Sequence, residues 1–328
     1  MTLRPALSDH ATTAAMATLA VLAFLLSLWV GPQRFGLPAA TDAARLVFFE
    51  IRLPRAILGF LVGAALGTSG AVLQGYLRNP LAEPGLIGIS GGASLGAVVA
   101  IHSGLAAHVA LALPLGGLIG AALATLAMVG LAGARSSPTT LILAGVAVSS
   151  IAAALTSLAL NLSPNPFASV EMVYWLMGSL TDRSLIHVWL AAPLILVGLA
   201  MLLSTARDLE ALTLGEDAAE NLGVDAAGLR FKVIAGTALA VGGATAVTGA
   251  IGFVGLIVPH LLRPFVGGSP GRLLMPSLFG GAALILFADV LLRLVSPQAD
   301  LRLGVVTALL GAPFFLWLVL KTRRELQP

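Results

Sequence analysis

The chain has 328 residues, of which 58% are hydrophobic and only 10% charged, with a net charge of +3 and no cysteine. Soluble domains carry about 25% charged residues, so a water-covered exterior is excluded and lipid must cover much of the surface. The missing cysteines exclude disulfides, thiolate metal sites and cysteine nucleophiles, and the 18 Lys and Arg are too scattered to form a nucleic-acid stripe.

In chain order, the first apolar run covers 11–31. At 1.5 Å per residue it reaches about 30 Å, longer than a signal-peptide core, and is expected to be retained as a span. Further spans are predicted at 53–76, 86–106, 109–132, 139–161, 185–204, 231–250, 251–266, 273–294 and 303–320. In the second, Gly59, Gly63 and Gly67 fall at i, i+4, i+8, and Gly88, Gly92 and Gly96 repeat the pattern in the third. Each set predicts a flat face for close helix packing. The Gly-rich string "GISGGASLGA" (88–97) has no Lys and lies in an apolar run, so it is not a phosphate cradle. His102 and His108 are expected to be solvated in a short loop.

The longest polar connection, about 205–230, is acidic: Asp208, Glu210, Glu216, Asp217, Glu220 and Asp225. Ala218, Ala219, Leu222 and Val224 give it a short amphipathic helix bracketed by Gly215 and Gly223. It reads equally as a solvated loop or as a surface covered by a partner. Residues 233–262 carry no Lys, Arg, Asp or Glu. As one helix they would be about 45 Å long, so they are split at the glycines before Pro259 into two spans, the second short. With ten spans and a cytoplasmic N-terminus, eleven of the 18 Lys and Arg fall inside; with nine, eight do. Positive-inside bias therefore favours ten, with both termini cytoplasmic. The Gly-rich span leading into a broken segment occurs near 59–92 and again near 236–259, a weak internal repeat of the kind that flanks transport pathways.

The spans are almost free of carboxylates. Asp289 is the main exception, and Arg293 one turn on is expected to neutralise it. His260 has no second ligand at i±3 or i±4 and is expected to cap or pack. No metal site is expected.

The strings "RLPR" (52–55), "GAALGTSGAVLQGYLRNPLAEPGLIGISGGASLGA" (63–97), "LILAGVAVSS" (141–150), "WLMGSL" (175–180), "LGEDAAENLGV" (214–224), "GFVGLIVPHLLR" (252–263) and "GVVTALLGAPFFLWLVL" (304–320) occur in order along the chain. In these the chain resembles the membrane-spanning permeases of the iron-siderophore, haem and vitamin B12 class of bacterial ABC importers. The resemblance implies an all-α polytopic fold of about ten helices, of the type II importer permease kind, with 1–328 as one transmembrane domain. It implies a homodimer in the inner membrane around a central path. Two cytoplasmic ATPase subunits and a periplasmic substrate-binding protein would be its partners, with ATP and Mg held on the ATPases. This chain would bind no cofactor and carry no catalytic residue.

Carried over by motif, Gly215, Glu216, Ala219, Leu222 and Gly223 match the segment that couples to the ATPase. Arg52, Arg55 and Arg293 match external arginines that dock the binding protein. Asn79 and Leu81 match the cytoplasmic gate, with Gly145 and Ser149 expected to face them. Two positions depart from the family: Glu220, where many relatives carry Arg, and Arg302, where Pro is common. The cargo, whether ferric siderophore, haem or cobalamin, is not coded in these residues. The alternative is an ATP-independent secondary transporter, which the scarcity of buried carboxylates disfavours. A membrane enzyme lacks paired carboxylates or a metal-spaced His cluster.

Overall fold

The computed structural model describes residues 9–31, 42–133, 137–163, 165–295 and 301–326, which form helices and connections and no sheet. Arg4, Arg34, Arg135 and residues 298–300 of the turn before Arg302 lie outside the described residues, as do the side chains of Lys321, Arg323 and Arg324. Helix α1 is Asp9–Trp29. Helix α2, Asp42–Leu46, runs through a π-helical turn at Val47–Arg52 into α3, Leu53–Tyr76, giving a helical stretch of 35 residues. Pro54 sits at the start of α3. Its ring cannot complete a regular i→i−4 turn, and the wider π turn just before it relieves that conflict. The polar stretch before 53 was expected to be a loop. It is about three further helical turns whose side chains are exposed or only half-buried.

The chain continues through α4 Ile89–His102, α5 Leu105–His108, α6 Ala112–Ala132, α7 Pro138–Asn161 and α8 Pro166–Leu176. Then come α9 Leu185–Leu203, α10 Ala206–Leu212, α11 Glu216–Asn221 and α12 Ala226–Thr248. Last are α13 Val254–Leu262, α14 Leu274–Val295 and α15 Leu303–Leu326. Local chemistry sets several starts. Ser137, Asn165 and Asp225 accept N–H groups of the first turns of α7, α8 and α12, and Pro138 and Pro166 occupy N1.

Among the described residues, eight helices are long and apolar enough to cross a membrane, and two shorter apolar helices, Ile89–His102 and Val254–Val266, take the third and eighth positions. That is the expected ten. The two short ones differ from the spans predicted for them. Each is about 20 Å long and is preceded by non-α-helical chain, 77–88 and 249–253. Region 233–262 does break in two, at Gly249. Helices α5 and α8 were not anticipated.

The bundle is held by backbone proximity. A Cβ on Gly63 would fall on the Gly281 carbonyl, and one on Gly67 on the Ser277 carbonyl, so α3 and α14 touch main chain to main chain. Gly92 and Gly96 meet Gly116 and Gly120 in the same way where α4 crosses α6. Such contact supplies the van der Waals attraction that replaces the hydrophobic effect in lipid. Gly88 is not part of that face. It is the left-handed residue (φ 81°) that opens α4 after a 3-10 turn at Pro84–Ile87. Helix α3 is almost wholly interior, while α6 and α7 turn Leu123, Leu126, Leu143 and Leu155 outward.

Candidate functional site

The candidate residues gather at the two ends of α3. At its C-terminal end lies the acidic segment. Helices α10 and α11 fold back against the bundle, and Ala219 is buried to 1% exposure. Glu216 lies 3.7 Å from Arg78, Asp208 3.6 Å from Lys232, and Glu210 3.9 Å from Arg272. Glu210 also accepts the Ser269 hydroxyl at 2.6 Å. Most of these partners are solvent-exposed, so each pair contributes about 0–1 kcal/mol. Their effect is to place the segment, not to stabilise the fold. Gly215 (φ 109°) and Gly223 (φ 88°) turn the chain at either side of α11. Leu214 and Leu222 are exposed at 68% and 65%, unusual for leucines beside an acidic helix. Of the five positions assigned to this segment, Glu216, Leu222 and the two glycines face outward, whereas Ala219 packs into the body.

The segment 77–88 follows at the same end. The Asn79 side-chain oxygen accepts the Leu81 N–H at 2.9 Å, and Asn79 N–H bonds the Gln74 carbonyl at 3.2 Å. The chain then climbs back into the bundle. Gly145 of α7 packs against Leu86 and Ile87, and the Ser149 hydroxyl reaches the Gly85 carbonyl at 3.5 Å. The structure thus sets Gly145 and Ser149 against residues 85–87, a few residues beyond Asn79 and Leu81. A further carboxylate, Glu83, enters the bundle here. It lines a cavity of about 200 Å³ with Leu66, Ser90, Ile251 and Phe253, and its carboxylate faces the Phe253 backbone. The sequence placed Glu83 in a loop; the Pro84–Gly85 turn that folds it inward is the signal that marked it.

At the other end of α3, Arg55 makes a bidentate pair with Asp289, with contacts of 2.7, 3.0 and 3.1 Å. Arg293 lies 3.0 Å from the same carboxylate, as its spacing predicted. It also donates to the Ser27 and Val30 carbonyls at 3.0 and 2.6 Å and to the Ser27 hydroxyl at 2.7 Å. Arg52 donates to the Leu28 carbonyl at 3.1 Å. The last carbonyls of α1, which have no partner within their own helix, are therefore met by two guanidinium groups that also oppose the helix dipole. Arg293 is 7% exposed and Asp289 1%. Arg55 and Arg293, expected to dock a binding protein, point inward and lock α1, α3 and α14 together.

Other positively charged groups lie in the loop before α9 and at the start of α15. Arg302 stacks 4.8 Å over the Tyr174 ring. Burial, followed by repulsion from Arg302, makes the Arg183 guanidinium less basic than usual, partly offset by Asp182. His102, expected in solvent, instead bonds the Ala159 carbonyl at 3.2 Å. His260 packs edge-on against Phe314. Among the described residues no group of three or more His, Cys, Asp or Glu is placed to hold a metal.

The sequence profile of the FecCD transport family matches residues 18–321. The chain is 41% identical over 311 residues to the vitamin B12 import system permease protein BtuC of Shigella boydii serotype 18, covering 94% of each chain. It is equally identical, over 312 residues, to BtuC of Escherichia coli O9:H4, again covering 94% of each. A solved structure described as an inward-facing conformation of a metal-chelate type ABC transporter superposes with a TM-score of 0.85. It is 34% identical and is covered to 98%, against 94% of this chain. With its many apolar helices, two of them broken, the chain belongs to the FecCD transport family.

Proposed function

We propose that this chain is the transmembrane permease subunit of a binding-protein-dependent ABC importer, and that two copies form a path for a bulky chelate across the bacterial inner membrane. The identity to vitamin B12 permeases over 94% of both chains carries this reading, and cobalamin or an iron chelate (ferric siderophore or haem) is the cargo class. The acidic segment, with its outward Glu216 and Leu222, is the surface offered to a cytoplasmic ATPase, where ATP and Mg are held. That end of the bundle, and both termini, face the cytoplasm. Asn79 and Leu81, beside the 85–87 turn held by Gly145 and Ser149, form the inner gate. Arg52 remains a docking position for the binding protein at the opposite face, with Arg55 and Arg293 acting behind it as its support.

The permease, its ATPase and its binding protein are reconstituted in lipid vesicles and offered labelled cobalamin, a ferric siderophore and haem separately. ATP-dependent accumulation of one of them is expected. Accumulation driven by a proton gradient without the ATPase would replace this reading with a secondary transporter.

A further inference from the structure

Helix α13 carries Pro259 in its interior. In an uninterrupted helix the N–H of residue 259 would bond the Gly255 carbonyl, and proline has no N–H to give. Another helix supplies the donor. Gln74, on α3 and 1% exposed, donates Nε2 to the Gly255 carbonyl at 3.2 Å and lies 3.4 Å from the Leu256 carbonyl. Its Oε1 accepts from Arg263 Nη2 at 2.9 Å, just past the end of α13. One turn before Gln74, Gly70 touches the Gly255 main chain so closely that a Cβ would fall on the carbonyl.

The opposite end of α13 is held in a similar way. It opens at Phe253, whose φ of 67° is left-handed and strained for an aromatic residue. The Phe253 backbone faces the Glu83 carboxylate, and its ring fills the place where a Gly311 side chain would stand on α15. Gln74 and Glu83 flank Asn79 and Leu81 in sequence. Two of the polar contacts from this stretch therefore end on α13 or on the residue that opens it.

We propose that Gln74 and Glu83 are positioning residues that tie α13 to segment 74–83, so that half-helix and inner gate shift as one body about the break at 249–252. Pro259 then has a use: it frees a carbonyl for an interhelical bond that a regular helix would consume internally. Gly249 (φ 74°) and Gly252 give the break its torsional latitude. The gate assignment rests on the importer reading above; the tie itself is geometric.

Two sets of measurements test it. Gln74→Leu removes the tie and leaves the Gly255 carbonyl without a donor. Adding Pro259→Ala returns an N–H to that carbonyl from within α13 and repairs the helix without restoring the tie. In vesicles with the partner subunits, the double variant should regain the thermal stability that Gln74→Leu loses. Its uptake should stay at least tenfold below the native protein. Native uptake in the double variant would mean that Gln74 only satisfies a carbonyl, and the tie would be refuted. Glu83→Gln keeps a polar side chain facing the Phe253 backbone and should retain uptake where Glu83→Leu loses it; equal loss in both would remove Glu83 from the tie.

The second set works whatever the variants' folding. The chain has no cysteine, so single cysteines introduced at the exposed Arg78 and Leu261 can carry spin labels in one protomer per dimer. Their separation should hold constant through the ATP cycle, and a changing distance sinks the tie. Absence of ATP-dependent uptake by the native protein would instead sink the importer reading and leave the tie to be judged on the label distance.

Discussion

Asp289→Asn isolates the buried charge cluster at the N-terminal end of α3. Asparagine fits the same volume, but it leaves two guanidinium groups facing each other with no carboxylate between them. Asp289 and Arg293 have side-chain exposures of 2% and 6%, and Arg55 13%, so water does little to screen the repulsion. Removing one partner from a buried ion pair costs about 3–5 kcal/mol, and here a single change strips the counter-charge from two arginines. The expected loss is therefore at the upper end, about 4–5 kcal/mol. Reversible unfolding in mixed detergent micelles, followed by helical circular dichroism, measures it. Arg55→Met, Asp289→Leu and Arg293→Met combined should recover much of the loss, because a buried ion cluster replaced by apolar side chains is often neutral. Recovery will be incomplete, since Arg293 also serves the Ser27 and Val30 carbonyls. A stability for Asp289→Asn within about 1 kcal/mol of the native protein would refute the view that these arginines are structural. A rise in binding-protein affinity at low salt would then favour their being held ready for a partner.

Gly63→Val should prevent correct packing of α3 on α14, at a cost of about 3 kcal/mol or more, read as a lost thermal transition. Gly130→Ala on α6, where nothing approaches, should be neutral or stabilising by up to about 1 kcal/mol, and equal damage from both would contradict the backbone-contact reading. Leu222→Glu should abolish co-purification with the ATPase while leaving the melting temperature of the isolated permease unchanged, because the side chain is 65% exposed. Arg78→Glu should shift stability by less than about 1 kcal/mol, given a 3.7 Å exposed contact with Glu216; a larger shift in chemical unfolding would show that the pair anchors α11.

Span count was readable because lipid forces long apolar runs and because Lys and Arg in the loops break the tie between nine and ten spans. The small-residue faces at Gly63 and Gly67, and at Gly92 and Gly96, were readable from spacing alone. What failed was whatever depends on depth and not on period. Glu83 lies in a string that looks like any polar turn, and only the inward climb of 77–88 buries it. Arg293 meets Asp289 as their spacing predicts, but nothing in the sequence ties Arg55 to that carboxylate, 234 positions away on another helix. The stretch 42–52 was missed because its charges hid a helix whose side chains are largely exposed and whose backbone merely continues α3. Gln74 offered a clue that went unused: a buried amide in an apolar span implies an orphaned partner, and Pro259 is the residue that creates one.

The two glycine turns around α11 have open space where a side chain would go. No neighbour enforces that shape and glycine torsions are soft, so the tab is held by the buried Ala219 and by the exposed ion pairs of Asp208, Glu210 and Glu216. On the importer reading, a subunit that docks there stiffens these turns as it binds, and part of the contact energy goes into ordering them.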